Sequence, residues 1–182
     1  MQLWLVVLIL MSLSGCASLS ERECLEADAT SWENIGYEDG YSGYHPDRRL
    51  KAHYEACSEL GVFPHRESYM TGWFRGVRGY CTPERAYEVG VSGSRGNPEI
   101  CPDGTDFLFR ENVELGLRIH ELKREMDVVY HEIEDLERKL DDAKLDKHVR
   151  RDIRDRIRYR DDELSDLRWR LMEAQSAPLI RF

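Results

Sequence analysis

The sequence predicts an all-α protein: a small disulfide-stabilised, Gly-rich helical domain followed by a long antiparallel coiled-coil helical hairpin. Three observations carry this. Apolar residues from Leu115 to Leu140 step by four and three without a miss, glycines before Gly104 recur three and four apart, and strand-like alternation is scarce. Charged residues make up 34% of the chain, well above the usual quarter, and charge that dense suits long solvated helices.

The first element is a leader. Leu3 to Leu13 form an apolar run of about eleven residues, too short for a bilayer span of roughly 20 but suited to the core of a secretory signal. It ends in Leu13-Ser14-Gly15-Cys16, which resembles the lipobox of bacterial lipoproteins, although no Lys or Arg precedes the run. The resemblance implies removal of residues 1–15 as a signal peptide and lipidation of Cys16, with a thioether-linked diacylglycerol and an amide-linked chain such as palmitate. An ordinary signal peptide with a chance cysteine is the alternative. Several acyl chains, at about 0.8 kcal/mol per buried CH₂, give a lasting membrane anchor. Ala17 stands where such lipoproteins carry Asp for inner-membrane retention, so the resemblance implies an outer-membrane lipoprotein facing the periplasm. Residues 16–23 then form a lipidated tether that, at about 3.3 Å per residue, keeps Cys24 within roughly 25 Å of the lipid.

Cys24, Cys57, Cys81 and Cys101 remain, an even set that an oxidising compartment turns into two disulfides with three connectivities open. Pairing of sequence neighbours, Cys24 with Cys57 and Cys81 with Cys101, is favoured. Each bridge closes a loop worth on the order of 3 kcal/mol, support that a small domain needs. A metal centre is the alternative, because His53 and Cys57 lie four apart on one helix face. No close pair such as C-x₂-C accompanies them, so no metal or other cofactor is expected.

Residues 24–104 carry a degenerate glycine repeat: Trp32 with Gly36, Gly40 and Gly43; Tyr69 with Gly72, Gly76 and Gly79; Tyr87 with Gly90, Gly93 and Gly96. Glycines three and four apart share a helix face and let another backbone come close, at about 1 kcal/mol each in helix propensity. Turns and loops are the competing reading. A membrane dimer is not, because Glu38, Asp39, Arg75 and Arg78 interrupt the segments. Between them Leu50, Tyr54, Cys57 and Leu60 recur at helical spacing, with Gly61 placed to end the helix. Thr82-Pro83-Glu84 marks another helix start, Thr as N-cap and Pro at the first position.

In order, Cys24, Trp32, Gly36, Asp39-Gly40, Gly43, His53, Cys57, Gly61-Val62, Tyr69, Gly72, Gly76, Tyr80-Cys81-Thr82-Pro83, Gly90, Gly93 and Cys101-Pro102 form a pattern. Through these residues the chain resembles a family of bacterial envelope lipoproteins that carry domain of unknown function 2799. The resemblance covers about residues 16–104 and departs at Arg95-Gly96-Asn97-Pro98, where no aromatic follows the last glycine. It implies no activity.

After Gly104 the composition shifts, and residues 105–177 read as the hairpin with 178–182 as a tail. Leu115, Ile119, Leu122, Met126, Val129, Ile133, Leu136 and Leu140 make one heptad seam; Ile153, Ile157, Leu164, Leu167 and Leu171 make another, with Arg160 in a seam position. The two runs are out of phase across Asp141 to Asp152, so a turn is expected near Lys144 to His148. One uninterrupted helix pairing with a second chain is the alternative, since no Gly or Pro marks the turn.

These features point to a structural or interaction protein, held to the membrane by its N-terminal lipid and presenting the hairpin to a periplasmic protein partner. The net charge of −9 opposes nucleic acid. A second reading is a peptidoglycan-binding module whose ligand contacts would be Trp32, Tyr37, Trp73 and Tyr80, although aromatics in a small domain are more often core. An enzyme is disfavoured: Glu38-Asp39 and His53 offer acid–base groups, but no nucleophile motif accompanies them, so no catalytic residue is assigned.

Overall fold

The computed structural model describes residues 19–141 and 144–181, and seven helices order these described residues. They are α1 (Glu21–Glu26), α2 (Ala29–Tyr41), α3 (Pro46–Cys57), α4 (Arg66–Tyr80), α5 (Pro83–Val91), α6 (Asp106–Leu140) and α7 (Lys147–Ser176), with 3₁₀ turns at Ser58–Leu60 and Pro98–Ile100. No strand occurs among the described residues, so the molecule is all-helical with two disulfides, Cys24–Cys57 and Cys81–Cys101. The leader and Cys16 lie outside the described residues.

Contacts divide the chain into two compact units, one ending at Gly76 and one starting at Val77. In the first, short polar side chains set the helix starts. Ser20 and Glu23 form a capping box on α1, the Asp28 carboxylate accepts from the Ser31 amide at 2.7 Å to open α2, and Pro46 occupies the first turn of α3. Cys57 closes α3, and the chain turns through the 3₁₀ segment to Gly61, whose φ of 74° only glycine adopts freely. The Cys24–Cys57 bridge, fully buried, ties α1 to the end of α3, and Trp32, Leu50, Tyr69 and Trp73 fill the core.

The crossing of α2 and α4 explains the glycines between them. A Cβ on Gly36 would stand 2.0 Å from the Tyr69 carbonyl oxygen, one on Gly72 1.8 Å from that of Glu33, and one on Gly76 2.1 Å from that of Tyr37. The helices therefore touch backbone to backbone, which recovers in packing what glycine loses in helix propensity. Positions 33 and 37 meet 72 and 76 in the same order, so the two helices run parallel.

In the second unit, the Cys81–Cys101 bridge spans α5, and Tyr80, Ala86, Phe109 and Val113 pack beside it. Thr82 caps α5 through the Arg85 amide at 3.2 Å, with Pro83 in the first turn. The long helices α6 and α7 run antiparallel: Arg150 donates to the Leu140 carbonyl at 2.9 Å, Arg160 pairs with Glu132 at 2.8 Å, and Arg170 lies 4.0 Å from Glu125. Leu122, Val129, Ile133, Leu164 and Leu167 form their shared apolar cluster. α6 stops at Leu140 and α7 restarts at Lys147 under an Asp146 cap. Two helices thus replace the single uninterrupted one. The composition break at Gly104 does not coincide with the division by contacts, because residues 77–104 pack on α6. There Gly90 and Gly116 face each other, and a Cβ on Gly116 would come 2.2 Å from the Tyr87 carbonyl oxygen.

This second crossing repeats the first. Gly76 lies against the Tyr37 carbonyl and the Tyr41 amide; Gly116 lies against the Tyr87 carbonyl and the Val91 amide. The helix ends match as well. Ser42, Gly43 and Tyr44 donate to Glu38, Gly40 and Asp39; Ser92, Gly93 and Ser94 donate to Glu88, Gly90 and Val89. The segments Tyr37-Glu38-Asp39-Gly40-Tyr41-Ser42-Gly43 and Tyr87-Glu88-Val89-Gly90-Val91-Ser92-Gly93 share five of seven residues, and Gly43 and Gly93 both have φ above 0. The same supersecondary unit, a parallel glycine crossing whose first helix lies within a cystine loop, is built twice.

Candidate functional site

The first copy carries a buried polar cluster that the second lacks. α2 supplies Asp39, α3 supplies Arg49 and His53, and α4 supplies Tyr69. Asp39 Oδ2 accepts from His53 Nε2 at 2.7 Å and from the Tyr69 hydroxyl at 2.9 Å, while Oδ1 accepts from Arg49 Nε at 2.9 Å. Asp39, His53 and Tyr69 are all buried, and Trp32 packs its ring edge-on against His53 at 6.0 Å. Burial works against the charge of Asp39. The His53 hydrogen bond, the charges of His53 and Arg49, and the Tyr69 hydroxyl outweigh it and hold the carboxyl below the ordinary range. Burial, then the Asp39 charge, pushes the Tyr69 hydroxyl far up, so it stays a neutral donor.

One carboxylate thus joins three helices. In the second copy the corresponding positions are Val89 and Phe109, the latter buried without a hydroxyl, so this fold does not require the polar set. His53 Nδ1 is buried and finds no hydrogen-bond partner among the described residues. Closed from solvent, the cluster can fix helix register, but it presents no reacting face to a substrate. Glu38, its neighbour in sequence, points to solvent and takes no part. No group of three or more His, Cys, Asp or Glu placed to hold a metal occurs among the described residues.

The residues expected to contact a glycan are placed otherwise. Trp32, Trp73 and Tyr80 are core: Trp73 donates its indole N–H to the Tyr44 carbonyl at 2.8 Å, and the Tyr80 hydroxyl accepts from the Asn97 amide at 2.8 Å. Their large apolar area is used in folding, which leaves no face for a sugar. Tyr37 is half-buried, stacked on Tyr41 with the Arg75 guanidinium over its ring. Among the aromatics that do face solvent, Tyr54 and Phe63 form a pair, 51% and 58% exposed with ring centroids 5.6 Å apart. They border a cleft of about 590 Å³ with Asp47, Lys51 and Arg66 at its edge. Sequence reading missed this pair because Phe63 sits in a loop outside any helical period.

On the long helices the predicted seam positions turn inward, whereas Tyr159, Trp169 and Met172 turn out, the last two 63% and 66% exposed. Arg160, in a seam position, is half-exposed and pairs with Glu132 and Glu163. No described helix is long and apolar enough to cross a membrane.

Comparison with known proteins yields one result: residues 31–118 match the family described as Protein of unknown function (DUF2799), a span that takes in both glycine crossings. No curated protein and no solved structure matches.

Proposed function

We propose, for a chain that carries this family's domain over residues 31–118, that it acts as an outer-membrane lipoprotein of structural and interaction type. On this reading Cys16 is lipidated and the short tether holds the disulfide-bonded helices close to the membrane. α6 and α7, as an antiparallel coiled-coil hairpin roughly 50 Å long, then reach a periplasmic protein partner. The observation that carries it is the self-sufficiency of the long helices. They bury Leu122, Val129, Ile133, Leu164 and Leu167 against each other, yet leave Trp169 and Met172, three apart on one face of α7, exposed. Large apolar side chains without a share in the seam are the residue types that anchor protein contacts.

The test is site-specific photo-crosslinking in intact cells, with the reactive residue in place of Met172 and, as control, of Asp155 near the other end of α7. A discrete adduct at position 172 but not at 155 is expected. Absence of any adduct at 172, in protein recovered with the membranes, contradicts the reading.

A second reading, a peptidoglycan-binding module, is favoured by the exposed Tyr54–Phe63 pair rather than by the aromatics first considered. Flat faces beside Asp47, Lys51 and Arg66 suit stacking and hydrogen bonding to a sugar. Cosedimentation with purified sacculi decides it: binding must occur and must fall in Tyr54→Ala and Phe63→Ala.

A further inference from the structure

Beyond α7 the chain does not run off into solvent. Ala177 leaves the helix in extended conformation, as a residue before proline must, and residues 177–181 return to the start of α6. There Asn112, 0% exposed, grips them. Its carboxamide oxygen accepts from the Ile180 amide at 2.9 Å and its nitrogen donates to the Ile180 carbonyl at 3.0 Å, while the same nitrogen donates to Leu108 O at 2.8 Å. Arg181 pairs with Glu84 in the first turn of α5. Leu179 and Ile180 are half-buried.

A side-chain amide that bonds both the N–H and the C=O of one residue reads main chain, not side chain. It is the means by which extended peptides are held whatever their sequence, with neighbouring pockets and charges adding preference. Comparison of the two glycine crossings shows why the place exists. α2 begins at Ala29, four residues ahead of Glu33, whereas α5 begins at Pro83, the position that matches Glu33. At the position where the first copy has Gly72 against the Glu33 carbonyl, the second has Asn112, and the tail lies against its carboxamide. The groove also continues past Ile180 into an open cleft of about 760 Å³ edged by Gly93, Glu114, Arg118 and His120.

We infer that the groove formed by α5 and α6 around Asn112 is a peptide-binding site, occupied in cis by residues 177–181. The segment it takes in trans is an extended one with two apolar residues followed by a basic one, the chemistry of Leu179-Ile180-Arg181. The tail is then a built-in competitor, present at the millimolar-scale effective concentration that a short linker gives, and a partner segment binds only as the tail leaves. This inference goes beyond the proposed interaction role and needs neither the lipid nor the outer face of the hairpin.

The test uses the detergent-solubilised full chain and a fluorescent synthetic peptide of residues 177–182. Ile180→Pro in the chain removes the amide that Asn112 accepts from and frees the groove. Anisotropy should show saturable peptide binding to Ile180→Pro, at least about tenfold weaker binding to the unaltered chain, and none to Ile180→Pro combined with Asn112→Leu. No saturable binding to an Ile180→Pro chain of unchanged helical signal overturns the inference, as does equal binding with Asn112→Leu. Should Ile180→Pro fail to fold, hydrogen exchange on the unaltered chain replaces it. An Ile180 amide that exchanges at least about tenfold faster than the Val113 amide shows a tail that detaches by itself, and one as slow as Val113 overturns the proposal.

Discussion

Asp39 concentrates on one carboxylate what the rest of its unit distributes over apolar contacts. Because His53, Tyr69 and Arg49 all bond to it from a buried site, removing it leaves several partners unpaired. Asp39→Ala should cost about 3 kcal/mol in urea unfolding. Replacing the set together, Asp39→Val with His53→Leu and Tyr69→Phe, should cost clearly less, since the second copy of the crossing has Val89 and Phe109 at two of these places. If the triple variant is as unstable as the single one, the cluster is a structural necessity. The pH dependence has a definite sign. The folded pKa of Asp39 lies below its unfolded value of about 3.9, so its contribution is present above about pH 4 and is lost as the pH falls through the folded value. The unfolding midpoint should therefore drop more steeply between about pH 4 and pH 2 in the unaltered chain than in the triple variant.

At the scale of elements, two devices do the assembly: glycine crossings and an apolar seam. Gly72→Ala puts a Cβ into the Glu33 backbone, which cannot yield without moving α2, and should cost about 2 kcal/mol or more by chemical denaturation. Gly104→Ala, facing open space at φ 83°, should cost only about 1 kcal/mol. Leu164→Ala in the seam should cost about 2 to 5 kcal/mol. The helical class, the two cystines and the Thr82-Pro83 start were legible in the sequence, and the two devices rest on spacings visible there, the heptads from Leu115 to Leu140 and the glycines three and four apart. What was not legible depends on long separations. Asp39 meets His53 across 14 residues and Asn112 meets Ile180 across 68, with no local pattern to announce either. The direction of Trp32 and Trp73 was also undetermined. Composition does not say whether an aromatic faces core or solvent, and here the core took them. The division by contacts falls at Gly76, ahead of the change in glycine content at Gly104, which marks where the helices lengthen.

For the whole molecule, the two cystines and the proposed anchor belong to one account. Each bridge closes a loop, of 33 and 20 residues, within a chain whose small units need the support. Reduction should lower the stability of each unit by about 3 kcal/mol, measured as a fall in Tm on adding a thiol reductant. A bridge of this kind lasts in an oxidising compartment, which export would provide. Export, acylation and disulfide formation therefore stand or fall together. Intact-mass spectrometry of the protein extracted from bacterial membranes without reductant tests them at once. A chain that begins at Cys16, heavier by its acyl groups and lighter by the four hydrogens of two disulfides, is the predicted result. A chain that retains Met1 to Gly15, bears no fatty acid and has four free thiols would contradict the account at its root.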